Sequence, residues 1–202
     1  IEDTLPETEE PVHSVTCGEI QTIEFKNVSF AYPGTERKIL EHFNYVIHKG
    51  DQIGIAGESG AGKSTLLRLL LRFYAPSEGQ ILINGIPLEQ ISFSELHKRI
   101  AFLEQDTYLF DMTIGENIGI AKPGASIEEI KDAAKQAGIA EFIDTLPEGY
   151  DTDMGQMSAR LSGGERQRIG IARILLRNPD ICLMDEPSSA LDALHEKELL
   201  HT

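Results

Sequence analysis

A chain of 202 residues with 41% hydrophobic content is long enough to bury one substantial core, as a single domain with at most a subdomain beside it. Eighteen Lys and Arg against thirty-three Asp and Glu set the formal charge at -15, the wrong sign for wrapping or reading nucleic acid. No apolar stretch approaches the roughly 18 to 20 residues that a membrane helix requires, so no direct insertion into a bilayer is expected. The cysteines, Cys17 in a polar segment and Cys182 inside an apolar run, make neither a disulfide framework nor a metal spacing, which fits a reducing, cytosolic setting.

Residues 1–19 are acidic, carry Pro6 and Pro11 and show no apolar period, as a solvated linker does. From Ile20 onward the pattern becomes globular. Ile23, Phe25, Val28 and Phe30 predict one strand and Phe43, Tyr45 and Ile47 a second, together an antiparallel layer. Gln52 to Ala56 reads as a short strand running into glycine, Lys63 to Tyr74 as a helix, and Ile81 to Ile83 with Asn84-Gly85 as strand then turn. Ser92 with Glu95 and Ser126 with Glu129 match the capping box that opens a helix, and Gly138 ends the second one. Residues 111–160 read as mostly helical. A helix over Glu165 to Leu176, a buried strand at Ile181 to Met184 and a last helix from Leu191 complete the chain. It begins with Ile1 rather than Met and stops at Thr202 within a helical pattern, so a fragment is expected.

Three segments carry chemistry. Gly57-Glu58-Ser59-Gly60-Ala61-Gly62-Lys63-Ser64-Thr65 lies between a predicted strand and a predicted helix, the context of a phosphate-binding loop. Its glycines let backbone N–H groups curl toward a phosphate, Lys63 brings a cation to the β- and γ-oxygens, and Ser64 offers a hydroxyl to Mg²⁺. Ile181 to Glu186 is an apolar strand ending in two acids. Asp185 is placed to orient Mg²⁺ and Glu186 to take a proton from water, although alone such a pair also fits an ordinary loop start. Ser162-Gly163-Gly164 before a helix offers a hydroxyl, bare amides and a positive dipole end to an anion, or simply a cap.

In full, Leu161-Ser162-Gly163-Gly164-Glu165-Arg166-Gln167 resembles the signature of ATP-binding cassette proteins, and the resemblance extends over about residues 20–194. It implies an α/β fold: a P-loop NTPase core with a mostly parallel sheet, an N-terminal antiparallel β layer and a helical subdomain over about 106–162. It implies Walker A at Gly57 to Thr65, Walker B at Ile181 to Glu186, a D-loop at Ser189-Ala190-Leu191-Asp192, and Tyr32 stacking on adenine. Gln105 becomes the glutamine that senses Mg²⁺ beside Ser64 and Asp185. Lys63, Gln105 and Glu186 carry catalysis, and Ser162, Gly163, Gly164 and Glu165 meet the γ-phosphate held by a second such domain, head to tail.

Further wording resembles exporters whose ATPase follows transmembrane helices: Arg72-Phe73-Tyr74 then Gly79, Leu109-Phe110, Thr113 to Ile118, and Glu148 to Thr152. Gly155-Gln156 and Pro187-Ser188 depart from that wording. The resemblance implies Mg-dependent ATP hydrolysis powering export at the cytoplasmic face of a membrane, with residues 1–19 leading from a transmembrane domain and 20–202 forming the ATPase domain. A soluble cassette ATPase and a nucleotide-binding module without turnover are the alternatives, the second disfavoured by Glu186. The family's γ-phosphate histidine falls beyond Thr202, and His195 and His201 stand too near Asp192 to replace it. The strand leading to it would lie between the two Walker strands, so the 202 residues alone are expected to aggregate or remain partly unfolded, and any soluble fraction to hydrolyse ATP negligibly.

Overall fold

The computed structural model describes residues 9–12, 14–58, 60–104, 107–157 and 161–185. The chain divides into two compact units, Ile1–Ile100 and Ala101–Thr202. The predicted helix from Leu191 lies outside the described residues.

In the first unit, β1 (Thr22–Ala31) is central, flanked by antiparallel β2 (Lys38–His48) and β3 (Glu78–Ile83), with the short β4 (Ile86–Pro87) outermost. The sheet order is β2-β1-β3-β4, and Phe25 stands opposite Tyr45 on one side and Ile81 on the other. Being central, β1 buries Ile23, Phe25, Val28 and Phe30. Their spacing breaks from two residues to three between Phe25 and Val28, and the register shifts there against β2 and nearby against β3. Asn27 is the hinge of this bulge, in the left-handed region at φ 51, and His42 on β2 answers it at φ 48. The Asn27 N–H donates to Asn44 Oδ1 at 2.9 Å, and the Asn27 Oδ1 to His42 Nδ1 distance is 3.0 Å.

Gly79 is required by this bulge. It sits at φ +78, and a Cβ there would come within 2.2 Å of the Asn27 carbonyl oxygen and 2.3 Å of that of Lys26. Gly79→Ala would incur both the left-handed backbone penalty and a clash with main chain, about 3 kcal/mol together. Its thermal midpoint should fall by about 6 to 12 °C in a circular-dichroism melt; a shift under about 2 °C would mean that the bulge yields freely.

Asn84 and Gly85 join β3 to β4 at φ 51 and 78, the tight hairpin expected of Asn-Gly. The Asn84 side chain does more than turn. Its Oδ1 accepts from the N–H groups of Gln21 and Thr22, and its Nδ2 donates to the carbonyls of Cys17 and Glu19. Arg72 similarly donates to the Glu9 and Ile91 carbonyls, so the described part of the acidic approach segment is hydrogen-bonded to the first unit.

Two expectations need correction here. Gln52 to Ala56 carries no strand assignment, and Ile53 and Ile55 are 41% and 46% exposed, because none of the described strands supplies a ladder beside them. At α2 (Phe93–Arg99), only half of the capping box forms. Ser92 accepts from the Glu95 N–H, while Glu95 turns to Arg99 at 3.3 Å.

The second unit contains β5 (Ile100–Leu103), which starts at its boundary, then α3 (Ile114–Gly119), α4 (Ile127–Gln136), α5 (Ala140–Asp144), α6 (Met154–Met157), α7 (Gly163–Arg177) and β6 (Ile181–Met184). β5 and β6 pair as a parallel two-stranded sheet. Ile114 and Ile118 of α3, Ala133 and Ala134 of α4, and Ile169 and Ala172 of α7 share one core. Among the described residues, three helices start with full capping boxes: Thr113 with Glu116, Ser126 with Glu129, and Ser162 with Glu165. As predicted, α4 ends at Gly138, which takes the left-handed conformation at φ 68.

Sequence reasoning missed the polar knot in this unit. Asn117, fully buried, donates from Nδ2 to the carbonyls of Phe110, Met112 and Thr113 and accepts at Oδ1 from the Phe110 N–H. Arg173 of α7 completes it with three 2.7 Å bonds, to the Asn117 carbonyl, Asn117 Oδ1 and the Tyr108 carbonyl. Burial pulls the guanidinium below its ordinary range, and three charge-assisted acceptors keep it tied to the loop. The cysteines also exchange their expected settings: Cys17 is buried at 8% and Cys182 is exposed. Surrounding atoms still crowd Cys182 enough to push its thiol up to about 11.

Candidate nucleotide-binding elements

The predicted phosphate loop lies in the first unit and ends in α1 (Lys63–Leu70). Gly62 caps this helix at φ 92, and a Cβ there would meet Ile39 Cγ2 at 2.8 Å. Only glycine satisfies both the turn and the packing. Gly60, at φ 80, and the Ala61 N–H to Glu58 carbonyl bond at 3.1 Å form the bend before it. Lys63 Nζ reaches back over the loop and donates to the carbonyls of Gly57 at 2.8 Å and Glu58 at 3.0 Å. The ammonium is thus held over a bend whose amides precede a helix start, an arrangement suited to multiply charged oxyanions. Ser64 stands on the first turn of α1, while Ser59 lies outside the described residues.

Thr65 departs from a purely phosphate-facing role. Thr65 is 4% exposed, and its Oγ1 lies 3.0 Å from the Tyr32 hydroxyl. Tyr32 also accepts from Arg68 Nη1 at 3.3 Å and is half-buried beside Phe30 and Tyr74. The sequence contained the letters of Arg68 and Tyr74 but no local period linking them to Tyr32, which precedes them by 36 and 42 positions.

The second unit carries the other described candidates. Ser162 and Gly163 are exposed at the start of α7, with Gly164 and Glu165 half-buried behind them. Asp185 follows β6, and its N–H donates to the Leu103 carbonyl of β5 at 3.1 Å, which fixes the end of that strand. β6 itself is only partly covered rather than buried, since β5 is its one described neighbour. Gln105, Glu186 and the stretch 189–192 lie outside the described residues, as do His195 and His201. A cavity of about 560 Å³ opens beside α3 and α4, but it does not suit phosphate. Glu116 and Asp151 line it, and the one cation among its described lining residues, Lys122, is already paired with Glu129. Among the described residues, no helix is long and apolar enough to cross a membrane, and no cluster of His, Cys, Asp and Glu could hold a metal.

Residues 40–189 match the family described as ABC transporter. A probable ABC transporter ATP-binding/permease protein of Haemophilus influenzae is 47% identical over 195 residues, covering 96% of this chain and 35% of the relative. An ATM1-type heavy metal exporter of Novosphingobium aromaticivorans is 46% identical over 90% of this chain and 30% of its own length. A solved structure of a bacterial Atm1-family ABC exporter with ATP bound has a TM-score of 0.85 at 42% identity, covering 98% of this chain and 34% of that one. The chain therefore belongs to the ABC transporter family and has its α/β nucleotide-binding fold. It spans about a third of the length of the curated relatives it matches.

Proposed function

We propose that this chain binds Mg-ATP and hydrolyses it as one nucleotide-binding domain of a membrane exporter. The observation that carries the proposal is the phosphate loop, with Lys63 seated over its bend and α1 starting directly behind it. In this reading Gly57, Glu58, Ser59, Gly60, Ala61, Gly62, Lys63, Ser64 and Thr65 surround the phosphates and Tyr32 carries the adenine. Ser64, Gln105 and Asp185 offer oxygen donors, the chemistry that magnesium prefers. Bound there, Mg²⁺ would neutralise charge on the β- and γ-oxygens. Glu186 accepts a proton from the attacking water as oxygen bonds to the γ-phosphorus and the bond to the β,γ-bridging oxygen breaks, releasing ADP and phosphate.

Ser162, Gly163, Gly164 and Glu165 would meet the γ-phosphate held by a second cassette domain, identical or related, in a head-to-tail dimer. A transmembrane domain is the other partner, and the cytoplasmic face of its membrane the place of action. The permease and exporter names of the relatives favour transport over a soluble cassette ATPase. The test is phosphate release from ATP by the protein at its natural length, with and without EDTA. Release that stops on chelation is expected; release indifferent to EDTA, or none at all, would reject Mg-dependent hydrolysis.

A further inference from the structure

Four side chains of the first unit converge on the Tyr32 phenol. At its hydroxyl stand Thr65 Oγ1, at 3.0 Å, and Arg68 Nη1, at 3.3 Å. Around its ring stand Phe30, with centroids 5.0 Å apart at 80°, and Tyr74, at 5.2 Å and 90°. Tyr74 also touches Phe30, at 5.6 Å, so the three rings form a closed set. Tyr32 directly follows β1 at the start of a turn, where a side chain held at neither end would sample several rotamers. Edge-on ring contacts restrict its plane, and the hydroxyl contacts fix its distance from α1. Thr65 and Arg68 both belong to α1, the helix that grows out of the phosphate loop.

We infer that Thr65, Arg68 and Tyr74 are positioning residues that hold the Tyr32 ring at a set offset from the phosphate loop. The protein thereby favours a nucleotide, with base and phosphates spaced to match, over a bare polyphosphate. This rests on the reading of Tyr32 as the residue that carries the base. A platform free to swing would spend part of its stacking energy on being ordered at each binding event.

Binding of Mg-ATP and of Mg-tripolyphosphate, which has no base, separates the two ideas in the natural-length protein. Tyr32→Ala should weaken ATP binding about tenfold or more and leave tripolyphosphate unchanged, as loss of base stacking does. Tyr32→Phe, which keeps the ring and removes only the anchored hydroxyl, should weaken ATP about three- to tenfold, and Tyr74→Ala likewise, again without effect on tripolyphosphate. Tyr74→Phe should restore the parent affinity. If Tyr32→Phe and Tyr74→Ala bind ATP like the parent while Tyr32→Ala does not, the positioning inference fails and the base platform stands. If Tyr32→Ala itself binds ATP normally, the platform reading fails. Equal loss of both ligands in Tyr74→Ala would reduce Tyr74 to a packing residue, and Tyr32→Phe would then decide the matter through its single hydroxyl.

Discussion

Replacing Glu186 by glutamine in the natural-length protein should cut ATP turnover about 10²- to 10⁴-fold while Mg-ATP still binds. The substitution keeps the shape of the side chain and exchanges a proton acceptor for an amide that cannot accept one from water at neutral pH. In the proposed site the phosphates are recognised by Lys63 and the loop amides, so binding should survive. Water attack should stall, and in the proposed head-to-tail dimer the ATP-bound state should accumulate. Phosphate release measured against retained nucleotide reads both effects at once. Asp185, which precedes Glu186 in the sequence, has its backbone bonded to β5, so the first of the two acids stands at a fixed strand end. Unchanged turnover would move the base to another group, whereas lost binding would assign Glu186 to recognition.

Lys63→Ala should nearly abolish Mg-ATP binding, for two separable reasons. Charge-assisted contacts to phosphate are each worth about 1.5 to 3 kcal/mol, so losing two weakens affinity by about 10²- to 10⁴-fold. The same ammonium holds the Gly57 and Glu58 carbonyls at 2.8 and 3.0 Å, so its removal also releases the bend that presents the amides. Titration calorimetry with Mg-ATP measures the total. Lys63→Arg provides the contrast: it keeps the positive charge but replaces a compact ammonium by a planar fork. Partial recovery in Lys63→Arg would attribute the loss mainly to charge, and none to the geometry of the clamp. Equal affinity of Lys63→Ala and the parent would remove this loop from the nucleotide site.

What could be read in advance was what repeats locally. Period-two alternation located β1 and β2, Asn84-Gly85 marked the hairpin after β3, and Ser126 with Glu129 marked the start of α4. The phosphate loop and the signature were legible because glycine and a following lysine or cap carry a backbone requirement in their letters. What escaped was contact across long separations. No window of sequence contains both Asn117 and Arg173, 56 residues apart, or both Asn27 and Gly79, whose need for one another arises only once β1 and β3 pair. Cys17 misled for the same reason. Its polar neighbours suggested solvent, but Asn84, 67 positions away, draws its carbonyl in and the side chain is covered. Gln52 to Ala56 shows the converse, a good local strand pattern without a described partner to make it one.

The cap at the start of α7 has a consequence for anion traffic. Ser162 has one hydroxyl proton, and it is directed at Glu165 Oε2, 2.9 Å away. The same carboxylate takes the Ser162 N–H at 2.7 Å, while the Glu165 N–H donates to Ser162 Oγ at 3.3 Å. The positive end of the helix is therefore occupied by a tethered negative charge belonging to the chain itself. Chloride or free phosphate drifting past must compete with a neighbour that never leaves and repels them besides. A dilute or weakly charged anion therefore meets a helix start that the chain's own carboxylate has already neutralised.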